Sequence, residues 1–141
     1  MRPPDRGHPL YGPFWAGGDG GLLHLPVCRA CEAMLWPPSE ICPTCWSSGI
    51  EWADLPGDGT VWSVAEYHHA YDAASAAEVP YQCILVELDC GPRMISRYVS
   101  APSTPASHVP TRPGQRVKAV RADLPTAGQV PCFADAEATG A

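Results

Sequence analysis

Residues 28–45 read Cys28-Arg29-Ala30-Cys31-Glu32-Ala33-Met34-Leu35-Trp36-Pro37-Pro38-Ser39-Glu40-Ile41-Cys42-Pro43-Thr44-Cys45, two Cys-x-x-Cys pairs separated by ten residues. Each pair is a tight knuckle with both sulfurs turned the same way. Two facing knuckles place four thiolates about 2.3 Å from one ion in a closed tetrahedron. With no open position, such a site is structural rather than catalytic. Four unrelated core thiols would not pair twice at one interval, and two disulfides would suit a secreted chain. The spacing assigns Cys28, Cys31, Cys42 and Cys45 as ligands of a structural zinc ion.

Around these ligands, Leu22–Val27 reads as a short strand entering the first knuckle. Met34-Leu35-Trp36 reads as its return before Pro37-Pro38, and Trp46–Glu51 as a turn. Residues 22–54 thus form a zinc ribbon. It has almost no apolar core of its own and takes much of its folding free energy from the metal. Residues 1–21 are a separate N-terminal segment, at most partly helical. His8–Ala16 carries Tyr11, Phe14 and Trp15, but Gly and Pro, the poorest helix formers, interrupt it.

Beyond Gly57-Asp58-Gly59 the pattern turns to strands: Thr60–Tyr67, Tyr81–Leu88, Arg93–Val99, Arg116–Arg121 and Gln129–Phe133. In the first, Val61, Ser63, Ala65 and Tyr67 alternate with Trp62, Val64 and Glu66. Asp89-Cys90-Gly91-Pro92 makes a tight hairpin between the second and third. The connections His68–Pro80 and Ser100–Gly114 are long and expected to be exposed. Five strands with a long link between the third and fourth fit an OB barrel over residues 55–134. Residues 135–141 are left as a flexible tail. The fold class is mostly β: a zinc ribbon followed by a five-stranded OB-fold barrel.

The chain has 141 residues with 17 Pro and 13 Gly, which favours short strands and turns over a helical bundle. No secretory signal or membrane-spanning run is visible, and a cytoplasmic location is expected. In that reducing setting Cys83, Cys90 and Cys132 read as small buried hydrophobes. The net charge of −6 hides a division. Residues 30–92 hold ten acids and no Lys or Arg, while residues 93–122 hold Arg93, Arg97, Arg112, Arg116, Lys118 and Arg121 and no acid. Either the fields segregate and steer an anionic ligand or acidic partner, or folding interleaves and cancels them.

In order and spacing, further pieces resemble a known family: Phe14-Trp15 with a Gly-rich turn and Leu22-Leu23, both Cys pairs, Pro37-Pro38, Trp52, Gly57-Asp58-Gly59-Thr60-Val61, Val79-Pro80-Tyr81, Val86-Glu87-Leu88-Asp89 and Pro113-Gly114-Gln115-Arg116-Val117. From about Pro13 to Phe133 the chain is similar to proteins of domain-of-unknown-function family thirty-five, with an N-terminal segment, a rubredoxin-like zinc ribbon and an OB fold, which implies a rubredoxin-like ribbon here as well. It departs from them at Glu32 and Trp46, where a Gly usually follows each Cys pair. A side chain in a left-handed conformation there costs about 1–2 kcal/mol.

The resemblance implies a non-catalytic accessory subunit of lipid metabolism, steroid degradation included. Such a subunit joins a thiolase-like or lipid-transfer-protein-like aldolase, as a heterotetramer, or a hot-dog hydratase, and completes a channel for acyl-coenzyme A. No catalytic residue carries over. Arg97 and Arg116 are candidates for the coenzyme A phosphates, and Trp46, His68 and Tyr71 for the partner interface. Trp52 is better suited to sealing a small core, and Trp46, with little ribbon core to enter, to anchoring a partner. Trp36 is open to either role.

Rival readings are weaker. The cluster Tyr67, His68, His69, Tyr71 and Asp72 could supply a general base, but adjacent histidines at a strand end point to opposite faces. A single-strand nucleic-acid module needs a continuous electropositive track, which a pI near 5.2 and one Lys do not give. A rubredoxin-like iron centre uses the same four thiolates, but the ten-residue spacer is short for that fold and leaves the barrel unexplained.

Overall fold

A computed structural model describes residues 4–17, 19–73, 76–100, 110–125 and 127–136. The elements are α1 (Gly12–Ala16), β1 (Leu22–Cys28), β2 (Ile50–Pro56), β3 (Asp58–Tyr67), β4 (Tyr81–Leu88), β5 (Arg93–Tyr98), β6 (Arg116–Leu124) and β7 (Gly128–Asp135). Strands β3-β4-β5-β7-β6 close into a barrel, antiparallel except where β5 meets β7 in parallel at Tyr98 and Phe133. This is the expected OB-fold barrel, and all five predicted strands are present. Most of loop 100–114 and of the tail 135–141 lies outside the described residues, at 101–109 and 137–141.

The ribbon is built differently from the sequence reading. Strand β1 pairs along its length with β2, from Leu22 opposite Pro56 to Cys28 opposite Ile50. Met34 makes only an isolated bridge to Val27. The return strand is therefore 50–56, after the second knuckle rather than between the two. Residues 50–56 escaped notice because they combine Asp, Glu and Pro with weak alternation, and their exposure confirms how little of them is buried.

The first barrel strand also departs from strict alternation. A bulge between Val61 and Ser63 turns Trp62 outward. An inserted residue reverses the face of everything after it. Val61 and Val64 accordingly both contribute to the core, and Ser63, Ala65 and Tyr67 lie outside it.

The main core unites the pieces. Leu23 and Leu25 of β1 and Phe14 of α1 pack with Val61, Ile84, Val86, Met94, Val117 and Phe133 of the barrel. The knuckles themselves enclose only Cys28, Leu35 and Cys42, backed by Ala33 and Ile50. Gly57 forms the joint between ribbon and barrel. Its N–H donates to the Gly21 carbonyl, and its own carbonyl accepts from the Ala119 N–H. A Cβ there would lie 2.3 Å from the Cβ of Ala119, so only glycine allows this approach.

The N-terminal helix shrinks to a single turn with Pro13 at its start. Tertiary contacts hold it. Phe14 packs on Trp36 with centroids 4.5 Å apart, Arg6 donates to the Gln129 carbonyl at 2.7 Å, and Arg121 donates to the carbonyls of Trp15 and Gly17. Loop 68–80 is not uniformly exposed as expected: Glu78 is buried.

Candidate functional site

The two knuckles have the same backbone design. In the first, the Cys28 N–H donates to the Ala33 carbonyl and the Glu32 N–H to the Cys28 carbonyl. In the second, the Cys42 N–H donates to the Ser47 carbonyl and the Trp46 N–H to the Cys42 carbonyl. Closing each loop forces the residue after the second cysteine into the left-handed region, with φ 64° at Glu32 and 67° at Trp46. These are the two positions where the sequence departs from glycine.

Knuckle closure gathers the four sulfurs within 4.8 Å of one another. Cys28 Sγ and Cys45 Sγ are 3.5 Å apart, and Cys31 Sγ and Cys42 Sγ 3.6 Å. A tetrahedron with bonds of about 2.3 Å has edges of about 3.8 Å, so the set fits zinc. Backbone donors prepare the charge. The Cys45 N–H lowers Cys42 to about 6, and the Cys31 N–H lowers Cys28. Cys31 rises to about 12: the Ala33 N–H pulls it down, but desolvation and the neighbouring thiols outweigh that pull. Cys45 also rises, its neighbours overcoming the lowering effect of the Ser47 N–H. Thiols this close cannot all ionise alone, and a divalent cation would let all four act as thiolates.

The other predicted site residues do not converge on this cluster. Trp46 projects from the second knuckle at 80% exposure. Tyr71 is 78% exposed and packs edge-on against His69, while His68 pairs with Glu66 at 3.0 Å. Trp36 packs against the main core and Trp52 stacks on His24. Arg116 forms a two-pronged pair with Asp89, at 2.8 and 2.6 Å, and also donates to Thr60. Arg97 is buried, with its guanidinium 3.9 Å over the Tyr81 ring and Nη1 3.6 Å from Glu78.

Folding interleaves the charges. Arg93 pairs with Glu87, Arg97 with Glu78 and Arg116 with Asp89, each joining the basic stretch to the acidic one. Among the remaining thiols, Cys132 is fully buried and desolvation pushes it up to about 12. Cys83 and Cys90 are half-buried and raised for the same reason.

Sequence reasoning missed the His24–Asp54 pair, 2.9 Å apart. These residues face each other through the β1–β2 register, so the pair was hidden as long as 50–56 was not recognised as a strand. It also missed Glu78 as the partner of Arg97. No helix among the described residues is long and apolar enough to cross a membrane.

Fold and site together define a zinc-ribbon protein joined to an OB barrel. A family profile described as "ChsH2, rubredoxin-like zinc ribbon domain" matches residues 15–51, and one described as "ChsH2, C-terminal OB-fold domain" matches residues 52–121. The chain belongs to this ChsH2 (DUF35) family of zinc-ribbon and OB-fold proteins. It is similar to a solved structure titled "Ltp2-ChsH2(DUF35) aldolase", with 25% identity, a TM-score of 0.74, and coverage of 92% of this chain and 96% of that one. It is also 36% identical over 77 residues to a "Probable enoyl-CoA hydratase alpha subunit" of Thermomonospora curvata. That match spans 55% of this chain but only 24% of the relative.

Proposed function

We propose that this chain is a non-catalytic accessory subunit of an acyl-CoA-processing complex. Its partner is a thiolase-superfamily, lipid-transfer-protein-like enzyme that breaks or forms a carbon–carbon bond, as in a retro-aldolase or thiolase, and the two assemble as a heterotetramer. The observation that carries this reading is the near full-length likeness to a chain of the titled Ltp2–ChsH2 aldolase. The partner supplies the chemistry, and this subunit docks and helps to wall the acyl-CoA channel.

The surface supports docking. Trp46 and Ile41 stand out from the ribbon, and Tyr71, Trp62 and Ile95 from the barrel, all at least half exposed. Large aromatics of this kind are the usual anchors of an interface. Of the two arginines considered for coenzyme A, Arg116 is half exposed and could exchange Asp89 for phosphate. Arg97 lies in an apolar pocket, a setting less suited to a hydrated diphosphate.

The similarity to a hydratase subunit favours a second reading, in which the partner is a hot-dog-fold enoyl-CoA hydratase. Co-purification from the native host, with the captured protein identified by mass spectrometry and the assembly sized by light scattering, separates the two. A thiolase-like partner supports the first reading and a hydratase the second. Acyl-CoA turnover by this chain alone would defeat both.

A further inference from the structure

The four cysteines of the cage are not equally covered. Cys28 and Cys42, the first of each knuckle, are buried, whereas Cys31 and Cys45, the second of each, are exposed. Sulfur contacts cross between the knuckles: Cys31 Sγ lies 3.6 Å from Cys42 Sγ, and Cys45 Sγ 3.5 Å from Cys28 Sγ. Each contact joins an exposed sulfur of one knuckle to a buried sulfur of the other. An accessible thiolate poised beside a resolving one is the arrangement of oxidation-sensitive cysteines.

The surroundings give this cluster little shelter. Besides the two buried cysteines the knuckles enclose only Leu35, with Ala33 and Ile50 behind it. Glu32 and Trp46, held left-handed at φ 64° and 67°, directly follow the two exposed cysteines, so opening either knuckle there releases backbone strain. The barrel thiols are better covered: Cys132 is buried, and Cys83 and Cys90 are half-buried.

We propose that the four cysteines are also a site of modification by peroxide, in which oxidation joins Cys31 to Cys42 and Cys45 to Cys28 and the metal is given up. In each pair the exposed thiolate attacks one oxygen of hydrogen peroxide, the O–O bond breaks, and a sulfenic acid and a hydroxide result. The neighbouring thiolate then attacks the sulfenic sulfur, the S–S bond forms, and a second hydroxide leaves. Two thiolates thus give two electrons to one peroxide. The first bridge already removes two of the four thiolate ligands, and the cage no longer closes on its ion. This inference concerns the chain's own thiols and does not depend on which enzyme the chain accompanies.

The test is titration of the full-length, zinc-loaded chain with hydrogen peroxide. Released zinc is read with a chromophoric chelator, and, once free thiols are alkylated, disulfides are mapped by tandem mass spectrometry after cleavage at Arg29, Glu32 and Glu40. These cuts put Cys28 and Cys31 on separate peptides and Cys42 with Cys45 on a third. Pairing across the knuckles should tie each of the first two peptides to the third, with zinc leaving as the first disulfide forms. The cage should oxidise at least about tenfold faster than Cys132. Dithiothreitol with fresh zinc should restore the reduced mass and the bound metal. Disulfides within the knuckles, Cys28 to Cys31 and Cys42 to Cys45, overturn the proposal. So does oxidation that dithiothreitol cannot reverse, or zinc still held at a peroxide dose that has oxidised Cys132. All these readouts use the unaltered chain, so none depends on a variant folding.

Discussion

Replacing Glu32 or Trp46 by glycine should stabilise the protein and tighten its hold on zinc. Both residues sit at φ near +65°, where the knuckle needs a left-handed turn. That conformation costs a residue with a Cβ about 1–2 kcal/mol. Glycine removes this strain but gives back roughly 0.4–1 kcal/mol through the greater freedom of the unfolded chain. Little packing is lost, because Glu32 is exposed and Trp46 is 80% exposed. The net gain is about 0.5–1 kcal/mol per knuckle, which for a chain of this length raises Tm by roughly 2–5 °C. Because metal binding and ribbon folding are linked, the same free energy should appear as about two- to fivefold tighter zinc in competition with a chromophoric chelator. Glu32→Ala is the control, since it deletes the side chain and keeps the Cβ. If Glu32→Gly melts no higher than Glu32→Ala, strain at the knuckle is not the reason, and the left-handed argument fails.

Other expectations follow from single contacts. Gly57→Ala should lower stability by about 1–3 kcal/mol in chemical denaturation, because the new methyl meets Ala119 at the joint between ribbon and barrel; an unchanged midpoint would show that the joint yields. Chelating the zinc should remove amide exchange protection from residues 28–46 first, while the barrel strands, with their own large core, stay protected. Simultaneous loss throughout would mean that the barrel depends on the metal as well. The Asp89 carboxyl should titrate below the ordinary carboxylate range, because Arg116 hydrogen-bonds it, and return toward that range in Arg116→Met. With the folded pKa below the unfolded one, the pair's contribution is complete above the ordinary range and fades as pH falls through the lowered value; carbon-detected NMR of the carboxyl reads it directly. Trp46→Gly should leave zinc bound but weaken capture of the partner, and undiminished pull-down would remove Trp46 from the interface.

The parts legible from sequence were those written as local patterns. Two Cys-x-x-Cys pairs specify a cage without reference to the rest of the chain, and Tyr81–Leu88 alternates cleanly because it is buried on one face along its whole length. What failed was set by distant partners. Residues 50–56 are a strand because β1 offers them its edge, and their own composition argues against it. The bulge at Trp62 reverses the inward face of β3 within one residue, which an alternation count cannot anticipate. The charge division along the sequence suggested two fields. Folding sets Arg93 of β5 beside Glu87 of β4, Arg97 beside Glu78 of the preceding loop, and Arg116 at the start of β6 beside Asp89 of the β4–β5 turn, so the division becomes three local ion pairs.

The same long-range packing explains how a zinc site without an open coordination position would serve the proposed docking role. The knuckles bury too little apolar surface to hold their own shape, so the metal fixes the loop that carries Ile41 and Trp46. Strand β1 runs directly from the first knuckle into the barrel core through Leu25 and Leu23, and Gly57 fastens the return strand to β6. An orientation set at the cage is thereby carried to the barrel through packed backbone rather than a linker. A partner that grips Trp46 and the barrel's Ile95 or Trp62 together would meet a surface already in place and would lose little entropy in ordering it. On this account, substitutions at the joint should weaken partner binding even where they touch no partner. Gly57→Ala should therefore lower partner affinity, measured by titration of the folded variant, while leaving the exposed Trp46 and Trp62 themselves unaltered. A Gly57→Ala protein that binds its partner undiminished would mean that ribbon and barrel dock as independent modules.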